Sequence, residues 1–166
     1  MSEQDDRLAG CFASVPLKLS GCSKMNQSTR LHHVGFVVLS ISAGVEGFRK
    51  CMGADWDGEI FHDVLQEAKV TFLRTPCLSD ALIELVEPAG EGSPVLRFLQ
   101  KGGGLHHLCY EIEDLDAHLV TMRLNGAVVV RRPLPAIAFQ NRRIAWALTG
   151  QKLLLEFLER EKLSGL

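Results

Sequence analysis

Two histidines and two glutamates occupy matching places in this 166-residue chain. His33 and His107 each close a Leu-His-His triplet, in LHHVGFVV and LHHLCYEI. Glu84 and Glu156 each interrupt an apolar run, in ALIELV and LLLEFL. A carboxylate inside such a run is costly unless a cation or a proton meets it. Two neutral imidazoles and two carboxylates suit a divalent first-row metal, because the two negative charges cancel its +2. His/Glu ligation does not choose among cobalt, nickel, manganese and zinc. Four protein ligands in an octahedral site leave two positions for two oxygens of one substrate. Such a site is a Lewis acid able to stabilise an enolate.

The elements that must position these side chains come from an internal repeat. The two triplets lie 74 residues apart, and the two glutamates 72 apart. Between them Ile41, Val45 and Phe48 correspond to Leu115, Leu119 and Met122, while Val70 and Phe72 correspond to Ile144 and Trp146. Each copy begins with an alternating strand. A helix follows, with apolar residues at i, i+4 and i+7. Asp114 caps the second helix, and Gly53 and Gly126 stop the two. Three further strands are predicted near 58–65, 68–75 and 80–87, and again near 127–132, 142–148 and 152–159. The fold class is therefore α+β: two βαβββ modules forming one curved mixed sheet around a metal-binding cleft, with helices outside. The modules span 31–92 and 104–160. An amphipathic linker helix at 93–101 joins them.

Alternation along each first strand assigns its faces. His32, Val34, Phe36 and Val38 face the helix; His33, Gly35 and Val37 face the cleft. In the second copy His106, Leu108, Tyr110 and Ile112 point outward, and His107, Cys109 and Glu111 inward. His62 and His118 have no repeat partner, and His118 reads as an exposed helix residue. Cys109 reads as packing.

Composition excludes several classes. Apolar residues make up 46% and charged residues 23%, as in a globular protein. No apolar run is long enough for a membrane-spanning helix. The net charge of −2 gives no footprint for nucleic acid or an acidic membrane. The five cysteines are scattered without a CxxC pair, so a reduced, cytoplasmic setting is expected. Residues 1–30 are polar and read as a loose extension, and 161–166 as a tail.

At these motifs the chain resembles the vicinal oxygen chelate superfamily, which includes glyoxalase I. The methylmalonyl-CoA epimerase branch is the nearest likeness. LHHVGFVV, IELVEPAGEGSPVLRFLQKGGGLHHLCYEIEDLDA and LLLEFLER carry it, over about 31–160. The resemblance implies metal ligands at His33, Glu84, His107 and Glu156. It also implies a 2-substituted malonyl-CoA or related acyl thioester as substrate, and a homodimer. Epimerisation needs two acid–base groups, one per face. One falls on Glu156. The other aligns with Thr71, which has no carboxylate, so Glu84 is expected to take that role opposite Glu156. The loop PLPAIAFQNRRIAW departs from the branch, and its Arg142 and Arg143, with Arg131 and Arg132 nearby, suit a phosphate of the substrate. A glyoxalase I-type lyase shares the same ligand set and is the alternative. A metal-free binding protein of the resistance kind ranks third.

Overall fold

The computed structural model describes residues 29–76, 78 and 81–161. The expected extension therefore lies outside the described residues except for Thr29 and Arg30, as does the tail beyond Glu161. Each copy folds as the alternation and helical spacing require. The first comprises β1 (Arg30–Val37), α1 (Ile41–Met52), β2 (Phe61–Asp63), β3 (Ala68–Leu73) and β4 (Leu82–Pro88). A five-residue helix α2 (Leu96–Gln100) leads to the second copy. That copy comprises β5 (Gly104–Ile112), α3 (Leu115–Leu124), β6 (Val128–Pro135), β7 (Arg143–Leu148) and β8 (Leu154–Glu159). A 3-10 turn at Ile137–Phe139, unforeseen in the sequence, precedes β7.

The helix boundaries have local causes. Ser40 caps α1 by accepting from the Ala43 N–H, and Gly53 ends it in the left-handed region at φ 61°. Asp114 Oδ1 accepts from the Ala117 N–H at 3.0 Å and starts α3. Gly126, at φ 84°, follows the Asn125 cap.

All eight strands join one sheet in the order β2-β3-β4-β1-β5-β8-β7-β6. This order is a palindrome of the repeat. The two first strands, β1 and β5, pair antiparallel at its centre. Each pairs parallel on its other side with the last strand of its own copy. The four strands that carry the candidate ligands are thus neighbours.

The outer face packs on the helices. Ile41 and Val45 of α1 meet Leu73, Ile83 and Leu85. Leu115 and Leu119 of α3 meet Ile112, Ala145, Ala147 and Phe157. The inner face carries its own apolar clusters, including Val37, Val70 and Val86 in one half and Cys109, Ile144 and Leu158 in the other. The sheet curls until its opposite edges meet. Arg131 of β6 donates to Leu65 O and to Gln66 Oε1, both at 2.6 Å, in the turn after β2.

Leu85 is fully buried between α1 and the sheet, whereas Leu124 ends α3 with 83% exposure. Leu85→Ala is expected to cost about 2–5 kcal/mol in urea unfolding. Leu124→Ala should stay within about 0.5 kcal/mol of the parent.

Candidate metal centre

The sheet brings His33, Glu84, His107 and Glu156 together at the middle of its inner face. His33 Nε2 lies 3.0 Å from His107 Nε2. It lies 3.4 Å from Glu84 Oε2 and 3.0 Å from Glu156 Oε2. His107 Nε2 lies 3.2 Å from Glu84 Oε2 and 3.5 Å from Glu156 Oε2. All four residues are at most 5% exposed. Their metal-binding atoms, not their stems, point at one another.

The donor set fits a divalent cation. Ligand atoms of His33, Glu84 and His107 all lie within 4.8 Å of one another. Glu156 Oε2 is buried and makes no hydrogen bond of good geometry, although both imidazoles face it. A buried carboxylate oxygen without a donor is the kind of vacancy in bonding that a cation satisfies.

Two aromatic side chains wall the cluster at repeat-related positions. Phe72 pairs in register with Glu84, and Trp146 with Glu156. The Phe72 ring lies 5.6 Å from that of His33, and the Trp146 ring 4.7 Å from that of His107. Gly35 sits in register opposite His107. A β-carbon there would overlap the imidazole ring.

The first histidine of each pair departs from the expected alternation. The β1–β5 register slips at His32 and again at His106, so each is the extra residue of a bulge. Bulges re-aim side chains. Instead of facing the helices, His32 lies against Phe139, and His106 against Phe98. His32 Nδ1 is 2.9 Å from His33 Nδ1, and His106 Nδ1 is 3.0 Å from His107 Nδ1. Burial, with a neighbouring histidine, pushes both first histidines down to about 4, so they are neutral near pH 7.

Other expectations need correction. Thr71 pairs with Leu85 on the outer face of β3. Its hydroxyl accepts from Trp56 Nε1 and donates to Glu59 O, so it pins a loop and does not face the cleft. Arg142 pairs with Glu111 at 2.9 Å; Arg143 pairs with Glu159 at 2.6 Å and Asp116 at 2.9 Å. Neither lines the cleft cavity. His118 is half-buried against Phe157, with ring centroids 4.5 Å apart.

The cavity above the cluster measures about 270 Å³. Val70, Val86, Val95, Phe139, Ile144 and Trp146 form apolar walls. Arg131 is the only arginine or lysine among its described lining residues. One carboxylate besides the cluster lines it: Asp63, at the end of β2 and 3% exposed. Its Oδ1 accepts from the Gln66 N–H at 2.9 Å. The repeat hides Asp63, because the position 74 residues later is Ile137.

Comparison with known proteins gives the family. Residues 32–146 match the model of the Glyoxalase/Bleomycin resistance protein/Dioxygenase superfamily. The chain belongs to that superfamily. It is 37% identical over 113 residues to an ethylmalonyl-CoA/methylmalonyl-CoA epimerase of Cereibacter sphaeroides, covering 65% of this chain and 79% of that protein. The methylmalonyl-CoA epimerase of Mycobacterium tuberculosis superposes with a TM-score of 0.69 at 27% identity, over 80% of this chain and 88% of that one. A methylmalonyl-CoA epimerase solved with methylmalonyl-CoA and NH4+ superposes with a TM-score of 0.68 at 25% identity, over 81% and 96%. The chain is thus epimerase-like in both sequence and fold.

Two outcomes follow. Gly35→Ala should keep the circular dichroism of the parent but displace His107, weakening divalent-metal affinity about 10-fold or more in a chelator competition. The second concerns protons in the metal-free chain. Burial alone would lower the His107 pKa, but Glu156 and Glu84 raise it to about 9. Burial alone would raise that of Glu156, but His107 and His33 hold it below the usual carboxylate range. The His107 contribution to stability is full below its ordinary pKa of 6.5 and is lost as pH rises through about 9. The Glu156 contribution is full above 4.5 and is lost as pH falls. The metal-free melting temperature should therefore decline from pH 6.5 towards 9. A bound divalent metal should flatten that decline, because it replaces the proton.

Proposed function

We propose that this chain epimerises a 2-substituted malonyl-CoA or a related acyl thioester. The observation that carries the reading is the convergence of two imidazoles and two carboxylates beneath an apolar cavity that holds one further buried carboxylate, Asp63. A divalent cation held by His33, Glu84, His107 and Glu156 would supply Lewis acidity towards thioester and carboxylate oxygens. Cobalt, nickel, manganese and zinc all suit this donor set.

Epimerisation breaks the α C–H bond on one side of the substrate and re-forms it on the other, with no net redox change. Two groups must carry the proton. In this reading Glu156 serves one side from its place in the cluster. Asp63 serves the other through Oδ2, since Oδ1 already accepts the Gln66 N–H. Glu84, expected from the sequence to share this work, acts here as a ligand. The apolar walls take the 2-alkyl group and keep water from the α-carbon. Arg131, whose acceptors are both neutral oxygens, takes over from Arg142 and Arg143 as the cation facing an anionic part of the substrate. The reading also carries a homodimer and a cytoplasmic setting.

The test is α-proton exchange with racemic methylmalonyl-CoA in deuterated water, run beside methylglyoxal–glutathione. Deuterium at the α-carbon is expected with the thioester alone. Asp63→Asn and Glu156→Gln should each slow epimerisation roughly 10²–10⁴-fold. Glu84→Gln should act mainly through metal affinity. Turnover of the hemithioacetal without exchange in the thioester would replace this reading by the lyase. Full epimerase activity in Asp63→Asn would remove Asp63 from it.

A further inference from the structure

We infer that His32 and His106 are positioning residues, each accepting the Nδ1–H of the next histidine and so fixing the tautomer that turns a bare Nε2 of His33 and His107 to the shared centre. The inference rests on the reading of those two histidines as metal ligands.

A neutral imidazole carries one proton. If Nε2 of His33 is to bind a cation, that proton resides on Nδ1. Nδ1 then needs an acceptor, because a buried N–H without one is costly. Among the described residues its one hydrogen-bond partner is His32 Nδ1, at 2.9 Å. Two nitrogens facing each other at that distance share one proton, so His32 Nδ1 must be bare and its own proton must lie on Nε2. The same reasoning assigns His106 from the 3.0 Å contact with His107. One choice at the centre therefore fixes four tautomers.

Three observations set this apart from chance packing. The contact occurs in both copies, at repeat-related positions, through the same pair of atoms. In both copies it requires a bulge, which interrupts the sheet ladder at just those residues. In both copies an aromatic ring holds the first histidine in place: Phe139 at 5.4 Å from His32, and Phe98 at 4.8 Å from His106. A regular strand would have sent both rings to the outer face. An acceptor on the far nitrogen of a ligating imidazole orients the ring and raises its basicity, typically a matter of 10–100-fold in metal affinity.

Cobalt(II) affinity by chelator competition, and the visible spectrum of the cobalt-loaded protein, read this directly. His32→Leu and His106→Leu should each weaken cobalt binding about 10–100-fold and shift the spectrum. His32→Asn and His106→Asn offer a side-chain oxygen close to where Nδ1 stood, and should recover most of the affinity. In the unsubstituted zinc-loaded protein, nitrogen-15 NMR should place the proton on Nδ1 of His33 and His107 and on Nε2 of His32 and His106. That measurement stands even if a leucine variant fails to fold. Leucine variants that bind cobalt as tightly as the parent, or protons on Nδ1 of His32 and His106, would overturn the inference while leaving the metal centre intact. An unsubstituted chain that binds no divalent cation would remove both.

Discussion

Burying Glu84 and Glu156 is the demand around which this molecule is organised. Each carboxylate sits at no more than 5% exposure on strands whose neighbours are apolar. Taking an ion out of water costs several kcal/mol even after relaxation, unless charge and hydrogen bonds compensate. What the fold supplies is two imidazoles at 3.0–3.5 Å. In the metal-free chain His107 holds a proton, which offsets one negative charge. A divalent cation with two neutral imidazoles brings the sum to zero. The charge balance and the orphaned Glu156 Oε2 thus lead to the same occupant.

That cluster exists only because the repeat is joined through its first strands. An antiparallel β1–β5 pair relates the two copies by a local twofold, and the parallel partners β4 and β8 bring the glutamates to the same level. Close approach across this axis has a steric condition. Gly35 stands opposite His107, where a β-carbon would strike the ring, while Cys109 stands opposite His33. The two copies therefore differ in the residue that faces each imidazole. The His33 side has a thiol packed at full burial, and the His107 side has bare backbone.

The repeat made much of this legible in the sequence. Spacing and alternation identified the four converging side chains, the two helices and the inner and outer faces of most strand positions. Reasoning by alternation failed where the ladder is broken: a bulge at His32 and another at His106 rotate those rings to the cleft side, and period two has no means to foresee an extra residue. Thr71 was legible but misread. Val70 and Phe72 share parity with the cleft-facing Ile144 and Trp146, which leaves Thr71 on the outer face. The arginine pair was read without its partners, since Glu111, Asp116 and Glu159 come near only through the tertiary fold. Asp63 was invisible for the opposite reason: symmetry found the other four, and Asp63 has none.

The asymmetry that Asp63 adds bears on chemistry that inverts a centre. A cage with twofold symmetry presents equivalent groups to both sides of whatever it binds, but here both equivalent carboxylates, Glu84 and Glu156, lie within the cluster of candidate ligands. Asp63 stands outside that equivalence as a further buried carboxylate of the cavity, and the way it is held is tied to closure of the sheet. Arg131 reaches from the β6 edge to Leu65 O and Gln66 Oε1 at the β2 edge. The N–H of the same Gln66 fixes Asp63 Oδ1. A run of contacts thus leads from one sheet edge, across the seam, to the carboxylate. Curling the sheet far enough for Arg131 to bridge its edges and setting the orientation of Asp63 are one structural event, which keeps the cavity wall and the Asp63 carboxylate in register with the four candidate ligands below.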